Sequence, residues 1–254
     1  MTQQTMILEV FRYHPEQGTE AWFDRYEVPY RADWVVLDAL NYLKDEVDGT
    51  LAYRWSCRMG ICGSCGMLVN GEPKLSCAAF LRDYAEEGTI RVEPLTHFRV
   101  QRDLVIDMEP FMERLEQVQP YIVRDDVQDV EAGPYQQTEA ERERYAPHAM
   151  CINCMLCYAA CPVTGLEPEF IGPAALAIGH RYNRDSRDDG ADQRLERMGG
   201  AEGVWACTTV GECSVVCPKH VDPAGAIQQA KVQAALRSYQ RLIMPKADAG
   251  EKQA

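Results

Sequence analysis

Cys57-Arg-Met-Gly-Ile-Cys62-Gly-Ser-Cys65 is the stretch on which the fold turns. Three cysteines spaced C-x4-C-x2-C share one short loop, and a fourth, Cys77, follows across the Asn70-Gly71 turn. This is the spacing with which plant-type ferredoxins hold a 2Fe–2S cluster. Two irons bridged by sulfides need two thiolates each. A tight loop can supply three of the four, and a neighbouring segment the last. Gly60, Gly63 and Gly66 let the backbone pass close to the sulfides and turn its N–H groups toward a negative cluster. Zinc also accepts four thiolates, but a structural zinc site is built from two close C-x2-C knuckles, which this loop is not.

The segments around the loop read as a small α/β unit. Residues 6–13 and 22–28 are strand-like runs of β-branched and aromatic residues. Residues 34–47 carry apolar side chains at helical spacing: Val35, Leu37, Leu40, Leu43 and Val47. Asn70-Gly71 between two short apolar runs is a tight-hairpin signal, and 89–93 reads as a last strand. Residues 103–119 are amphipathic and helical in pattern, with Pro110 placed to kink or split them.

Further along the chain, Cys151-Ile-Asn-Cys154-Met-Leu-Cys157-Tyr-Ala-Ala-Cys161-Pro162 is C-x2-C-x2-C-x3-C-P. In bacterial ferredoxins the fourth cysteine of such a run ligates the other cluster of a pair, so a second run is required. Cys207-Thr-Thr-Val210-Gly-Glu-Cys213-Ser-Val-Val-Cys217-Pro218 repeats the spacing with Val210 where the second cysteine would stand. Crossing the fourth cysteines gives two ligand sets. Cys151, Cys154, Cys157 and Cys217 suffice for a 4Fe–4S cluster. Cys161, Cys207 and Cys213 suffice for a 3Fe–4S cluster, a cube lacking one corner. With the first loop this uses all 11 cysteines of the chain.

The second half reads as helices only. Thr138 with Glu141 is a capping box, residues 173–182 begin with Pro, and Asp222-Pro223 opens a long helix toward Leu242. The domains expected are 1–120 for the 2Fe–2S unit and 138–244 for the helical unit. Between them lies an acidic linker, 121–137, whose Asp125, Asp126, Asp129 and Glu131 read as a solvated loop; a disordered tail, 245–254, follows.

The chain has 254 residues and a net charge of −13, from 26 basic and 39 acidic side chains. Phosphate backbones repel such a chain, which excludes nucleic acid as its main partner. No stretch reaches the ~18 apolar residues of a membrane span. The N-terminus, without a basic region or long apolar run, is expected to carry no secretory signal, and a reducing compartment where thiols bind metal is expected with it. No G-x-G-x-x-G follows a strand, so two-electron chemistry is expected on partner subunits. On residues alone, a soluble multi-cluster electron carrier and an electron-input module of another oxidoreductase stay open beside a subunit of a membrane complex.

The stretches Tyr53-Arg-Trp-Ser-Cys57 through Gly66, Pro73-Lys-Leu-Ser-Cys77, Phe170-Ile-Gly-Pro-Ala, His180-Arg-Tyr-Asn-Arg-Asp-Ser-Arg-Asp and Cys217-Pro-Lys-His-Val-Asp-Pro resemble the iron–sulfur subunit of the succinate dehydrogenase and fumarate reductase family. The resemblance implies an α+β chain: an N-terminal β-grasp plant-type ferredoxin domain, then an all-α bacterial-type ferredoxin domain. It implies a flavoprotein partner with FAD, where succinate and fumarate interconvert, and membrane-anchor subunits beside menaquinone or ubiquinone. It also implies a peripheral place on the cytoplasmic face of the bacterial membrane. Ubiquinone-linked members carry a Trp pair shortly after the fourth cysteine of the bacterial run. Here Gly165-Leu166 stands there, and residues 218–231 look more like menaquinone-using fumarate reductases. By that resemblance Thr208, Gln228 and Lys231 line a quinone pocket. His14, His97 and His148 are expected at the surface or in turns, and none of the five histidines is assigned a metal. Trp55 and Trp205 are expected to pack near the clusters and keep water off them.

Overall fold

The computed structural model describes residues 4–243 apart from Gln17 and Thr19, so the expected tail, 245–254, lies outside the described residues. Strand β1 (Thr5–Arg12) alternates strictly, turning Met6, Leu8 and Val10 into the core. It pairs antiparallel with β2 (Trp22–Pro29) and parallel with β5 (Thr89–Glu93). Strand β3 (Gly66–Val69) is antiparallel to both β5 and β4 (Glu72–Leu75), giving the order β2-β1-β5-β3-β4. Helix α1 (Val36–Tyr42), prolonged by a π-helical turn over Leu43–Val47, lays Val36, Ala39, Leu40 and Leu43 on one face of this sheet. The unit is a β-grasp. Asn70 and Gly71 both have positive φ, 48° and 80°, the backbone of a turn whose twist matches that of the flanking strands.

The expected helix over 103–119 is shorter than its pattern suggests. Residues Val100–Arg102 (β6) and Val105–Ile106 (β7) form a small hairpin, and helix α2 runs over Glu109–Glu116. Pro110 sits in its first turn, where no N–H is needed, and kinks nothing. Asp103 explains the difference. Its fully buried carboxylate accepts hydrogen bonds from Arg12 Nε (3.2 Å), Tyr13 N (3.0 Å) and Ala52 N (2.8 Å). A buried carboxylate without partners is costly, so these long-range bonds hold Asp103 in a turn. Arg12, at the inward end of β1, also reaches Asp24, Asp48 and Thr50. Burial alone would lower its pKa; the bonds to Asp48 and Asp103 override that and keep the guanidinium charged. His14, expected near the surface, is buried beside it, with Nε2 3.1 Å from Arg12 Nη2.

Among the described residues the second half contains helices and no strand: α3 (Glu139–Glu143), α4 (Leu156–Ala159), α5 (Pro162–Leu166), α6 (Pro173–Asn183), α7 (Ala191–Met198), α8 (Glu212–Val215) and α9 (Pro223–Ile243). Thr138 caps α3 with the reciprocal bonds of the capping box, Glu141 N to Thr138 Oγ1 and Thr138 N to Glu141 Oε2. Asp222 Oδ1 accepts Gly225 N (2.9 Å) at the start of α9. Helices α6, α7 and α9 pack on one another, while α4 and α8, which begin inside the two cysteine runs, pack together. The segment 121–137 is exposed and mostly irregular, yet it is pinned to the loop between α6 and α7. Val123 N donates to Asp188, Arg124 Nη1 to the Arg187 carbonyl and Gln137 Nε2 to Asp185. Among the described residues, no helix is long and apolar enough to cross a membrane.

One core joins the two halves. Leu68, Leu95, Phe111 and Val118 from the first half share it with Met155, Tyr158, Phe170 and Leu176 from the second. Strand β3 is buried on both sides, Met67 and Val69 under α1 and Leu68 in the shared core, which accounts for its unbroken apolar run.

Three cysteine sites along one core

The first loop leaves regular structure before Cys57 and re-enters it at β3. Ser76 N donates to the Cys65 carbonyl, extending the β3–β4 ladder by one step and bringing Cys77, in the turn just after β4, beside Cys65. The four sulfurs fall into two pairs. Cys57 and Cys62 are half-buried and in mutual contact, and Cys65 and Cys77 are buried and in mutual contact. Backbone N–H groups of Met59 (3.5 Å), Cys62 (3.3 Å) and Ile61 (3.3 Å) converge on Cys57 Sγ and pull its thiol down to about 6. Burial, then the neighbouring Cys65, pushes Cys77 up to about 12.

In the second half, Cys151, Cys154, Cys157 and Cys217 line one cavity with Ile152, Met155 and Val221. Cys161, Cys207 and Cys213 line another with Thr208, Thr209 and Val210. The fourth cysteine of each run thus stands with the other run. Cys217 acts electrostatically on Cys151, Cys154 and Cys157, and Cys161 acts on Cys213. Both runs use the same backbone: Asn153 and Met155 of the first, and Thr209 and Gly211 of the second, all have positive φ. These turns aim the amides of Asn153 and Thr209 at the sulfurs of Cys151 and Cys207.

Burial raises the thiols of Cys151, Cys157, Cys154 and Cys213, the last two to about 11, and each neighbouring thiolate opposes the next. Sulfurs gathered this way ionise together only with cations among them, which is what iron supplies. All 11 cysteines are free. Among the described residues no three metal-binding side chains close tightly on a single point. The sulfurs of the second and third sites instead border shared spaces, into which a polynuclear cluster fits.

Gln228 and Lys231, one helical turn apart on α9, both reach the 207–209 segment. Lys231 Nζ donates to the Cys207 carbonyl (2.8 Å) and Gln228 Nε2 to Thr209 Oγ1 (3.0 Å). Thr208, singled out by sequence, lines the same cavity, whereas the partner of Gln228 is Thr209, which the sequence reading did not name. The signal was present in the repeated spacing: Thr209 stands in the second run where Asn153 stands in the first. Trp55 and Trp205 are 40% and 51% exposed and flank the first and third sites instead of sealing them. His148, expected at the surface, is buried edge-on to His180, while His97 lies in an exposed turn.

Residues 7–113 match the family model of the 2Fe-2S iron-sulfur cluster binding domain, and residues 147–221 that of the 4Fe-4S dicluster domain. The chain is 56% identical over 240 residues to a Mycobacterium tuberculosis protein named fumarate reductase iron-sulfur subunit, covering 94% of this chain and 97% of that one. It is 50% identical over 251 residues to the Haemophilus influenzae protein of the same name, covering 95% of this chain and 97% of that one. Among solved structures it resembles a chain of the Mycobacterium smegmatis Sdh1 complex in the apo form. That match has a TM-score of 0.84 and 28% identity, and covers 97% of this chain and all of that one.

Proposed function

The chain belongs to the family of fumarate reductase iron–sulfur subunits, and from that premise we propose which of its residues carry the family's work. The subunit relays single electrons between FAD on a flavoprotein partner, which holds the dicarboxylate active site, and a quinone beside membrane-anchor subunits. When bound, its 2Fe–2S, 4Fe–4S and 3Fe–4S clusters supply one-electron carriers whose potentials the protein tunes. Cys57, Cys62, Cys65 and Cys77 hold the first, Cys151, Cys154, Cys157 and Cys217 the second, and Cys161, Cys207 and Cys213 the third. Val210 offers no ligand for a further iron. The domain boundaries that suit this division are 1–120 and 138–244, joined by 121–137.

Each end of the row has an exposed apolar face. Trp55, Met59 and Ile61 surround Cys57 and Cys62, and we assign this face to the flavoprotein. Trp205 and Val210 stand beside the third site, and we assign that face to the anchors. Between the faces, the buried side chains of Phe111, Tyr158, Phe170 and Ile171 exclude water. Thr208, Gln228 and Lys231 line the quinone pocket. Lys231 keeps two N–H bonds beyond the one given to Cys207, enough to hydrogen-bond a quinone oxygen and move a proton to it. The resemblance of 218–231 to menaquinone users supports menaquinone as the partner. Free cysteines throughout support a reducing compartment, and we place the subunit peripherally on the cytoplasmic face of the bacterial membrane.

The observation that carries this reading is the crossing of the fourth cysteines, Cys217 toward Cys151 and Cys161 toward Cys213. Anaerobically isolated protein is expected to hold about nine irons, the sum of the three cluster formulas. Low-temperature EPR is expected to show a 2Fe–2S signal when reduced and a 3Fe–4S signal when oxidised. Zinc in place of iron, or only about three irons per chain, sinks the reading.

A further inference from the structure

Thr209 has φ 65°, in the left-handed region that a β-branched residue rarely enters. Its counterpart in the first run, Asn153 at φ 53°, is of a type that tolerates this conformation. Thr209 is exposed, so packing does not force it there. Two hydrogen bonds hold it: its own N–H donates to Cys207 Sγ (3.4 Å), and its Oγ1 accepts from Gln228 Nε2 (3.0 Å). Lys231, one turn further along α9, holds the other end of the segment through the Cys207 carbonyl (2.8 Å). Helix α9 therefore grips the 207–209 segment at both ends, and the conformation it imposes is the one that aims an amide at a ligand sulfur.

We propose that the Gln228–Thr209 bond is a strap that keeps the Thr209 N–H on Cys207 Sγ and thereby sets the potential of the third cluster. The inference rests on the assignment of that cluster to Cys161, Cys207 and Cys213. A donor at a ligand sulfur stabilises the reduced cluster, which carries one more negative charge, more than the oxidised one, so it raises the potential. Without the strap, Thr209 relaxes out of the left-handed region and the amide swings away. Gln228 and Thr209 are positioning residues in this scheme.

The test is a potentiometric EPR titration of the holo complex carrying Thr209→Val, Gln228→Leu, Thr209→Gly, or the last two together. Valine removes the hydroxyl acceptor and keeps the bulk. Glycine adopts positive φ unaided and needs no strap. Thr209→Val and Gln228→Leu are expected to lower the reduced-to-oxidised ratio of the third cluster about tenfold at fixed potential, or about 59 mV for a one-electron couple. Thr209→Gly, alone or with Gln228→Leu, is expected to titrate like the unsubstituted protein. A normal 3Fe–4S signal whose potential ignores Thr209→Val and Gln228→Leu, or a glycine variant that shifts as far as the valine one, overturns the strap alone. Absence of any 3Fe–4S signal from the unsubstituted complex overturns the cluster assignment and the strap with it.

Discussion

Gly63, between Cys62 and Cys65 of the first loop, lies against the backbone of Cys154 in the second site. A methyl group on Gly63 would stand 3.0 Å from Cys154 Cα and 2.6 Å from the Ile152 carbonyl oxygen. Gly66 makes a similar approach to the Cys154 carbonyl. The two loops thus meet backbone to backbone, and the contact between the halves is made by the residues that flank the sulfurs.

Gly63→Ala is therefore expected to part the two loops. Its positive φ, 72°, adds about 1–2 kcal/mol of backbone strain, and overpacking adds about 1–3 kcal/mol. Rapid reduction of the first cluster followed by its equilibration with the second should slow, while each EPR signal keeps its shape. Gly71→Ala is the control: φ there is 80°, but nothing lies within 4 Å of the added carbon. Equal slowing in both variants would assign the effect to strain instead of contact.

Val210→Cys is expected to admit a fourth iron to the third cluster. Val210 borders the cavity of Cys161, Cys207 and Cys213 at the place in its run that Cys154 holds in the other. The oxidised 3Fe–4S signal should disappear, and iron should rise from about nine to about ten per chain. An unchanged signal under excess iron and sulfide would break the crossed assignment.

Arg194 and Asp188 form a fully buried bidentate pair, at 2.6 and 2.7 Å, and Arg194 also donates to the carbonyls of Gln119 and Tyr121. The pair fastens the start of the 121–137 segment to the α6–α7 loop. Arg194→Met leaves Asp188 charged and buried, which costs about 3–5 kcal/mol. Urea unfolding should show that loss, with part of it recovered when Asp188→Asn is added. A loss below about 1 kcal/mol, typical of an exposed pair, would contradict the burial.

What was legible in the sequence were the features that depend on near neighbours. Cysteine spacing, the Asn70-Gly71 turn, the Thr138–Glu141 box and the Asp222-Pro223 start of α9 are all local, and each is found in the structure. Residues 103–119 misled because helical periodicity there competes with Arg12, 91 positions upstream, which draws Asp103 into a turn. Burial of His14 and His148, and exposure of Trp55 and Trp205, depend on which faces the two halves turn to each other. Gly63 reads as a glycine that lets the backbone approach the sulfides, and its second role, the close approach to Cys154, needs the other half of the chain in place. Thr209 was hidden for a different reason: its left-handed backbone is ordinary for Asn153 and unexpected for threonine, and one of the two hydrogen bonds that hold it comes from Gln228 on another element, α9.

His180 should make stability fall with acid. Its ring is fully buried, Nε2–H donates to Gln229 Oε1 (3.2 Å), and His148 stands edge-on at 5.1 Å. Burial first, and the neighbouring His148 second, push its pKa down to about 4. Above the ordinary histidine value of about 6.5, folded and unfolded chains are both neutral at this ring. Below it the unfolded chain takes up a proton that the folded chain refuses until about 4. Stability is thus lost as pH falls through that window, by roughly 2 kcal/mol at pH 5 and roughly 3 kcal/mol once the window is crossed. His180→Leu removes the titrating ring and should flatten this part of the curve. The comparison is made by chemical denaturation between pH 7 and 5, with cluster absorbance followed in both proteins as the control for intact clusters. Parallel curves for the two proteins would show that another group carries the acid sensitivity.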